Sequence, residues 1–416
     1  MSAIVGTGRP SYLSLCSAEP FRIFFPLALL IGISGVSLWP LFFTGMHKFY
    51  PGIMHSRIMI EGFLGGFVIG FLGTAMPRLL SAPPLRRWET WTLVVVYLTV
   101  AGLHIGHQLL LGDIAFAVLL LFFGACLLRR ARHATDLPPP GFVLVGLGYL
   151  TGLSGTLLWI GGMKGWVSGS AMMLGGLWLN QAFVLLLILG VGTFLLPRFL
   201  AIQGIRPLDE ERTASREWVL RALAAGGVGI TILVSYWLEA AYVMVTPAAM
   251  VRGCAVMIYL LCMVPIFRTS NPGRTVPLAV NIALVSVVLG LAFPLFWPGQ
   301  RIAGLHVVFL GGFSLITFTV ATRVVLGHSG NGHLFRARLP SLLCVIGLLL
   351  IATALRVIGE FLPDQRATDL DLASYLWMGA AAVWGIAILP KVRIPDVGDE
   401  NHPPVSAAMK VAERRP

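Results

Sequence analysis

The chain reads as a succession of long apolar runs broken by short polar stretches. Each run is about 20 residues long, which as a helix crosses the roughly 30 Å hydrocarbon core of a bilayer. Twelve spans are predicted, at 22–43, 55–78, 90–111, 113–129, 141–162, 172–197, 218–238, 247–267, 276–297, 301–327, 339–358 and 371–390. Spans 3 and 4 are joined only by Gly112-Asp113. No segment alternates apolar and polar positions over about ten residues, so an outer-membrane barrel is excluded. The pattern predicts an all-α polytopic membrane protein. Residues 1–390 form a single integral membrane domain, and 391–416 form a polar cytoplasmic tail that reads as disordered. The first 20 residues contain Arg9, Pro10 and Pro20 and no apolar core. The first apolar run is too long for a signal peptide and lacks a convincing cleavage site, so span 1 is expected to be retained.

Composition narrows the class. Charged residues make up 12% and hydrophobic residues 57%. A soluble domain carries about 25% charged residues, so an ordinary cytosolic enzyme and a disordered chain are both excluded. Lys+Arg exceeds Asp+Glu by 30 to 18, a net charge of +12. In a soluble protein that excess would point to nucleic acid; in a membrane protein the question is which side carries it. With a cytoplasmic N-terminus, 22 Lys and Arg fall in cytoplasmic segments, and only Lys48, Lys164, Arg301 and Arg366 fall on the other side. That asymmetry puts both termini in the cytoplasm and accounts for the charge without nucleic acid. The five cysteines form no CxxC or CxxCH, and no chemistry is assigned to them.

An internal repeat is visible. Shifted by 120 residues, segment 27–80 falls on 147–200 without gaps and with 13 identities in 54 positions, among them Trp39/Trp159, Pro77/Pro197 and Arg78/Arg198. Spans 1–2 thus resemble spans 5–6 in the same orientation, as in folds built from parallel repeats. A weaker third copy lies at spans 9–10, where Trp297-Pro298 echoes Trp39-Pro40. Three four-helix units are expected. Aligning Arg78, Arg198 and Arg323 sets Glu61, Gln181 and His306 at one level.

The residues able to carry chemistry gather toward one face. His47, His55, His104, His107 and His306 all fall toward the outer side, whereas His133 and His402 lie in solvated cytoplasmic segments. His104 and His107 are spaced i, i+3, which on a continuous helix sets them on one face. A metal-ligand pair and plain hydrogen bonding stay equally open for them. For His55 and His306 ligation is preferred, because imidazole is the commonest ligand in such sites. His47 reads as an interfacial hydrogen-bonding residue. His328 follows His306 by 22 residues, about 33 Å along a helix, so the two cannot share one iron. It needs a second site or an inner-face hydrogen bond. Glu61 is the acid placed well inside a span, four residues after Arg57. A neutralised pair and a proton relay are both open for it. Asn180 and Gln181 read as bonds to other helices. The glycine runs are not phosphate loops, since no Lys-Ser/Thr follows them.

The stretch "HSRIMIEGFLGGFVIGFLGTAMPRLL" at 55–80 resembles the span-2 signature of the NnrS family, roughly W-H-x-H-E-M-x-x-G-F followed by G-F-L-x-T-A-x-P. The stretch "HVVFLGGFSLITFTVATRVVLGHSG" at 306–330 resembles that family's late signature, a His-led helix ending in R-V-x-L-G-H-T/S-G. The start "FRIFFPLALL" and the number of spans fit too. What the resemblance implies is a haem- and copper-containing protein of the bacterial inner membrane, linked to nitric oxide metabolism, response or protection. Haem b would be the cofactor, either alone or with copper at a site completed by His47, His104 or His107, nitric oxide the ligand, and a quinol or other electron donor a partner in the bilayer. Binding, sensing, reduction and detoxification of nitric oxide all stay open on this reading, an oxidoreductase activity on nitric oxide among them. The matched positions are His55, Met59, Gly62, Phe63, His306, Arg323 and His328. The family's Trp, second His and following Glu are Met54, Arg57 and Ile58 here, so the chain looks like a divergent member. By analogy, haem-copper oxidases also use twelve spans in three four-helix units and hold a haem between spans 2 and 10, where His55 and His306 lie. Against a working oxidase, span 6 has no His and span 7 no adjacent His pair. On this reading His55 and His306 are axial ligands, and His104 and His107 a second metal site or alternative ligands.

Two other classes compete. A proton-coupled secondary transporter fits twelve spans with internal repeats, with Glu61 as the coupling acid. Transporters, however, place polar residues near the midplane on broken helices. A membrane assembly subunit without activity of its own is the third.

Overall fold

The computed structural model describes residues 12–199, 213–263 and 274–395. Among them the chain is helical, with no strand. Twelve helices are long and apolar enough to cross a membrane: Phe21–Phe43, Gly52–Leu79, Arg87–Ile105, Leu109–Ala131, Phe142–Met163, Gly169–Phe199, Arg216–Tyr242, Val245–Met263, Thr275–Phe296, Pro298–Gly327, Pro340–Phe361 and Pro363–Arg393. These are spans 1 to 12 below. Large apolar side chains such as Leu30, Val95, Leu121, Leu223 and Ile386 stay exposed along them, as helices facing lipid require.

Span 12 begins at Pro363 rather than 371, and the boundary between spans 3 and 4 differs from expectation. Span 3 ends at Ile105 rather than 111, and span 4 starts at Leu109. The break is Gly106-His107-Gln108, with His107 at φ +60°. Asp113, expected in the connection, lies inside span 4 and is fully buried. The apolar triplet Leu109-Leu110-Leu111 hid the break, and the charge of Asp113 mimicked a loop. Before span 1, Tyr12–Ala18 forms a short helix against span 3. At the other end Leu389–Arg393 forms a 3₁₀ turn, so the expected tail disorder does not reach these residues. The rest of the tail, 396–416, lies outside the described residues, as do 200–212 and 264–273, which hold several of the arginines counted above.

The helices pack as a closed ring of three units. Consecutive pairs 1–2, 3–4, 5–6, 7–8, 9–10 and 11–12 pack together; the units meet through 4–5, 8–9 and 12–1. Spans 2, 6 and 10 face a common apolar cleft of about 90 Å³, lined by Phe67, Val184, Leu187, Ile316, Thr317 and Val320 among others. The same internal repeat appears in the packing. A Cβ on Gly32 would fall 2.7 Å from the Phe63 ring, and one on Gly152 would fall 2.7 Å from the Phe183 ring. Both glycine–phenylalanine pairs are 120 residues apart, and each lets a ring of the next span press on backbone. Such small residues let helices approach where lipid supplies no hydrophobic drive. Gly45 and Gly165 likewise both take positive φ, +76° and +71°, closing spans 1 and 5 in the same way.

The three inner helices share one irregularity. Each contains a wide π turn: Ile58–Leu64 in span 2, Trp178–Ala182 in span 6 and Val307–Ser314 in span 10. The first two start 120 residues apart. Glu61 and Gln181 lie within theirs, and His306 immediately precedes its own. The level predicted from the repeat is therefore the level at which the regular helix gives way, a feature frequent at functional sites. Below it, Phe63, Phe67, Phe318, Trp377 and Trp384 form an aromatic core joining units one and three. Trp377 Nε1 donates to Ser314 Oγ at 3.2 Å and Trp384 Nε1 to Thr322 Oγ1 at 2.8 Å, which fixes span 12 on span 10.

Candidate functional site

The polar interior lies at the arginine-poor end of the bundle, where span 2 begins. There His55 and His306 are set by the short helical turns Gly52–Arg57 and Arg301–His306 that lead into two π segments. His55 Nδ1 is 2.9 Å from the carbonyl of Gly35, and His306 Nδ1 is 2.8 Å from the carbonyl of Ile302. A carbonyl only accepts, so in each ring Nδ1–H donates, and in the neutral ring Nε2 keeps the lone pair. Neither Nε2 has a hydrogen-bond partner among the described residues. The two imidazoles lie within electrostatic reach of each other and of Arg356. Trp39 flanks His55 with ring centroids 5.8 Å apart, and Phe309 flanks His306 at 6.3 Å. Two imidazoles, each oriented through Nδ1 and without a partner at Nε2, are a donor set that suits iron. The residues present therefore fit a haem.

A second group lies deeper. Glu61, His104 and Asp113 bring their donor atoms within 4.8 Å of one another, the one such group of three among the described residues. His104 Nε2–H donates to Glu61 Oε2 at 2.9 Å. Arg57 Nε lies 2.8 Å from Asp113 Oδ1 and 3.4 Å from Glu61 Oε1. The guanidinium also reaches Asn180 Oδ1 at 3.4 Å and covers the ring of Trp159 at 4.5 Å. All four ionisable groups are buried to 1% exposure or less. Isolated, any of these charges would be costly in a bilayer; together the cation and the carboxylates compensate one another. The i, i+4 pairing of Arg57 and Glu61 expected from sequence is present. This group does not fit copper: a guanidinium already serves the carboxylates as their cation, and a single imidazole is at hand.

His107 does not join His104. The i, i+3 expectation assumed a continuous helix, but the helix ends between them. His107 is exposed and stacks on His47 at 5.0 Å and 17°. Arg323 lies 17 residues after His306 along span 10, over the ring of Phe335 at 3.8 Å. His328 belongs to a knot at the arginine-rich end. Its Nδ1–H donates to Glu19 Oε1 at 2.9 Å, and its Nε2 accepts from Arg78 Nη1 at 3.1 Å. Arg22 Nη2 donates to its carbonyl at 2.8 Å. Of the two explanations open for His328, the inner-end hydrogen bond is the one the structure contains. Burial pushes its imidazole down in pKa, with Glu19 opposing, so the neutral tautomer matches both bonds.

Sequence reasoning missed Asp113, Glu19 and Arg356. Asp113 was hidden by the misplaced loop. Glu19 precedes span 1 among residues that carry no pattern. Arg356 alone gave a usable signal, since a charge inside an apolar run must face the interior.

The family model described as NnrS protein matches residues 16–395 of the chain. None of the curated proteins compared with the chain matches it.

Proposed function

This chain belongs to the NnrS family, and on that premise we propose that it is a haem-b-binding protein of the bacterial inner membrane that serves nitric oxide metabolism or protection. The observation that carries the reading is the state of His55 and His306: two half-buried imidazoles on spans 2 and 10, each tied at Nδ1 and without a partner at Nε2.

His55 and His306 would hold the iron through Nε2. When bound, the group supplies one-electron chemistry and an affinity for small gaseous ligands. The remaining work falls to the chain. The carbonyls of Gly35 and Ile302 fix both tautomers, so neither imidazole has to reorganise. Trp39 and Phe309 wall the site with apolar surface and limit water. The Arg57–Glu61–His104–Asp113 group holds fixed charges beside it without offering a free acid, which weakens the transporter reading of Glu61. Electrons would come from a quinol or another donor reaching the site from the bilayer.

A reduced-minus-oxidised absorption spectrum of detergent-purified protein, with haem extraction and metal analysis on the same sample, tests this. The expected result is a haem b spectrum at near-stoichiometric content, lost in His55→Ala and in His306→Ala. Absence of haem after expression with ample haem supply would overturn the reading.

A further inference from the structure

Arg356 sits in span 11 with 6% of its surface exposed. Among the described residues its one ionic contact is Nη2 to Glu360 Oε1 at 3.5 Å, and the same oxygen lies closer, at 3.2 Å, to Arg366. Nε and Nη1 are buried and have no hydrogen-bond partner. A buried cation so weakly neutralised is costly in a membrane interior unless an anion meets it.

Its position says which anion. Span 11 packs on the Arg301–Ser314 part of span 10. A Cβ on Gly311 would lie 3.7 Å from Thr353 Oγ1, which sets Thr353 level with Gly311. The two spans run antiparallel, so moving three residues on, from Thr353 to Arg356, moves toward His306. Tyr50, His55 and His306 all lie within electrostatic reach of Arg356, and none of them offers it a carboxylate. Two imidazoles open at Nε2, aromatic walls and an unsatisfied guanidinium together describe one ligand: a flat, apolar metal chelate bearing a carboxylate.

We propose that Arg356 recognises a propionate carboxylate of the tetrapyrrole held by His55 and His306. The inference rests on the haem reading above. A guanidinium–carboxylate pair in such a place is charge-assisted and stronger than a neutral hydrogen bond. Arg356 thereby acts as a binding and orienting residue for the group.

The test compares haem b with haem b dimethyl ester, which lacks the carboxylate charges. Both are titrated into wild-type protein prepared from haem-depleted cells and into Arg356→Gln. Wild type is expected to prefer the free acid by about tenfold or more, in keeping with a charge-assisted bond, and Arg356→Gln to lose that preference. An undiminished preference in Arg356→Gln, or no preference in wild type that binds both haems, would overturn the role of Arg356. Wild type that binds neither haem would instead overturn the haem reading itself. Should Arg356→Gln fail to fold, the wild-type comparison still decides, because it needs no variant.

Discussion

At the scale of single residues, Arg57 shows how an interior side chain is defined by what meets it. In sequence it is a departure from a family pattern; in the structure it is the shared cation of Glu61 and Asp113. Replacing it by Ala would leave two buried carboxylates facing each other. Arg57→Ala is therefore expected to destabilise the protein by about 3–5 kcal/mol, read as a lower thermal midpoint in detergent. An unchanged midpoint would mean that the pairing contributes nothing. His104→Ala removes the donor to Glu61 Oε2 and is expected to cost about 1–3 kcal/mol, by the same measurement. Glu61 was legible as interior because a charge within an apolar run is costly. Its partner His104 was not legible, because it comes from span 3; nor were Asp113 and Asn180, which meet Arg57 from spans 4 and 6.

At the scale of elements, the twelve spans follow from run length, and the relation of span 2 to span 6 follows from the 120-residue identity. The glycine–phenylalanine contacts and paired positive-φ glycines give that relation a packing basis. Gly32→Val should force the Phe63 ring aside and cost about 1–3 kcal/mol through overpacking. Gly102→Ala, at a glycine with nothing within 4 Å, should leave the thermal midpoint unchanged or slightly raised. Equal effects of the two would contradict the close approach. The π segments were not legible, although the repeat had set Glu61, Gln181 and His306 at their level. A wide turn changes hydrogen-bond register without altering hydrophobic pattern, so periodicity does not report it. The same holds for the break at His107, where one residue at φ +60° ended a span inside an apolar run.

At the scale of the whole molecule, the ring closes at the arginine-rich end through Glu19. Its carboxylate takes Arg22 at 2.5 Å, Arg78, and His328 at 2.9 Å. Arg22 in turn donates to the carbonyls of Val392 and Ile394 at 2.6 and 2.8 Å, joining the two ends of the described chain. Burial alone would raise the carboxyl pKa, but the His328 bond and the two arginines outweigh it and hold it down at about 2. A depressed carboxylate contributes stability in full above its unfolded value and loses it as pH falls through the folded one. Stability from this knot, about 3 kcal/mol, should thus be present above roughly pH 4.5 and fade toward pH 2. Glu19→Gln should flatten that part of the pH profile of thermal unfolding; a profile identical to wild type would refute the knot. The charge asymmetry also predicts that a reporter fused to the C-terminus is active only as a cytoplasmic fusion. A reporter active only on the opposite side would invert the topology.

Sequence by itself determined the solvent the protein lives in, the number of spans and the histidines worth attention. Those depend on local composition: a run of about 20 apolar residues is a membrane helix whatever surrounds it. Tertiary structure decided which polar groups meet. It put Asp113 with Arg57, parted His107 from His104, gave His328 to Glu19 and brought Arg356 toward His55 and His306. A helix turns about 100° per residue, so one irregular turn sends a side chain to another neighbour. Only the packed ring fixes where those turns fall.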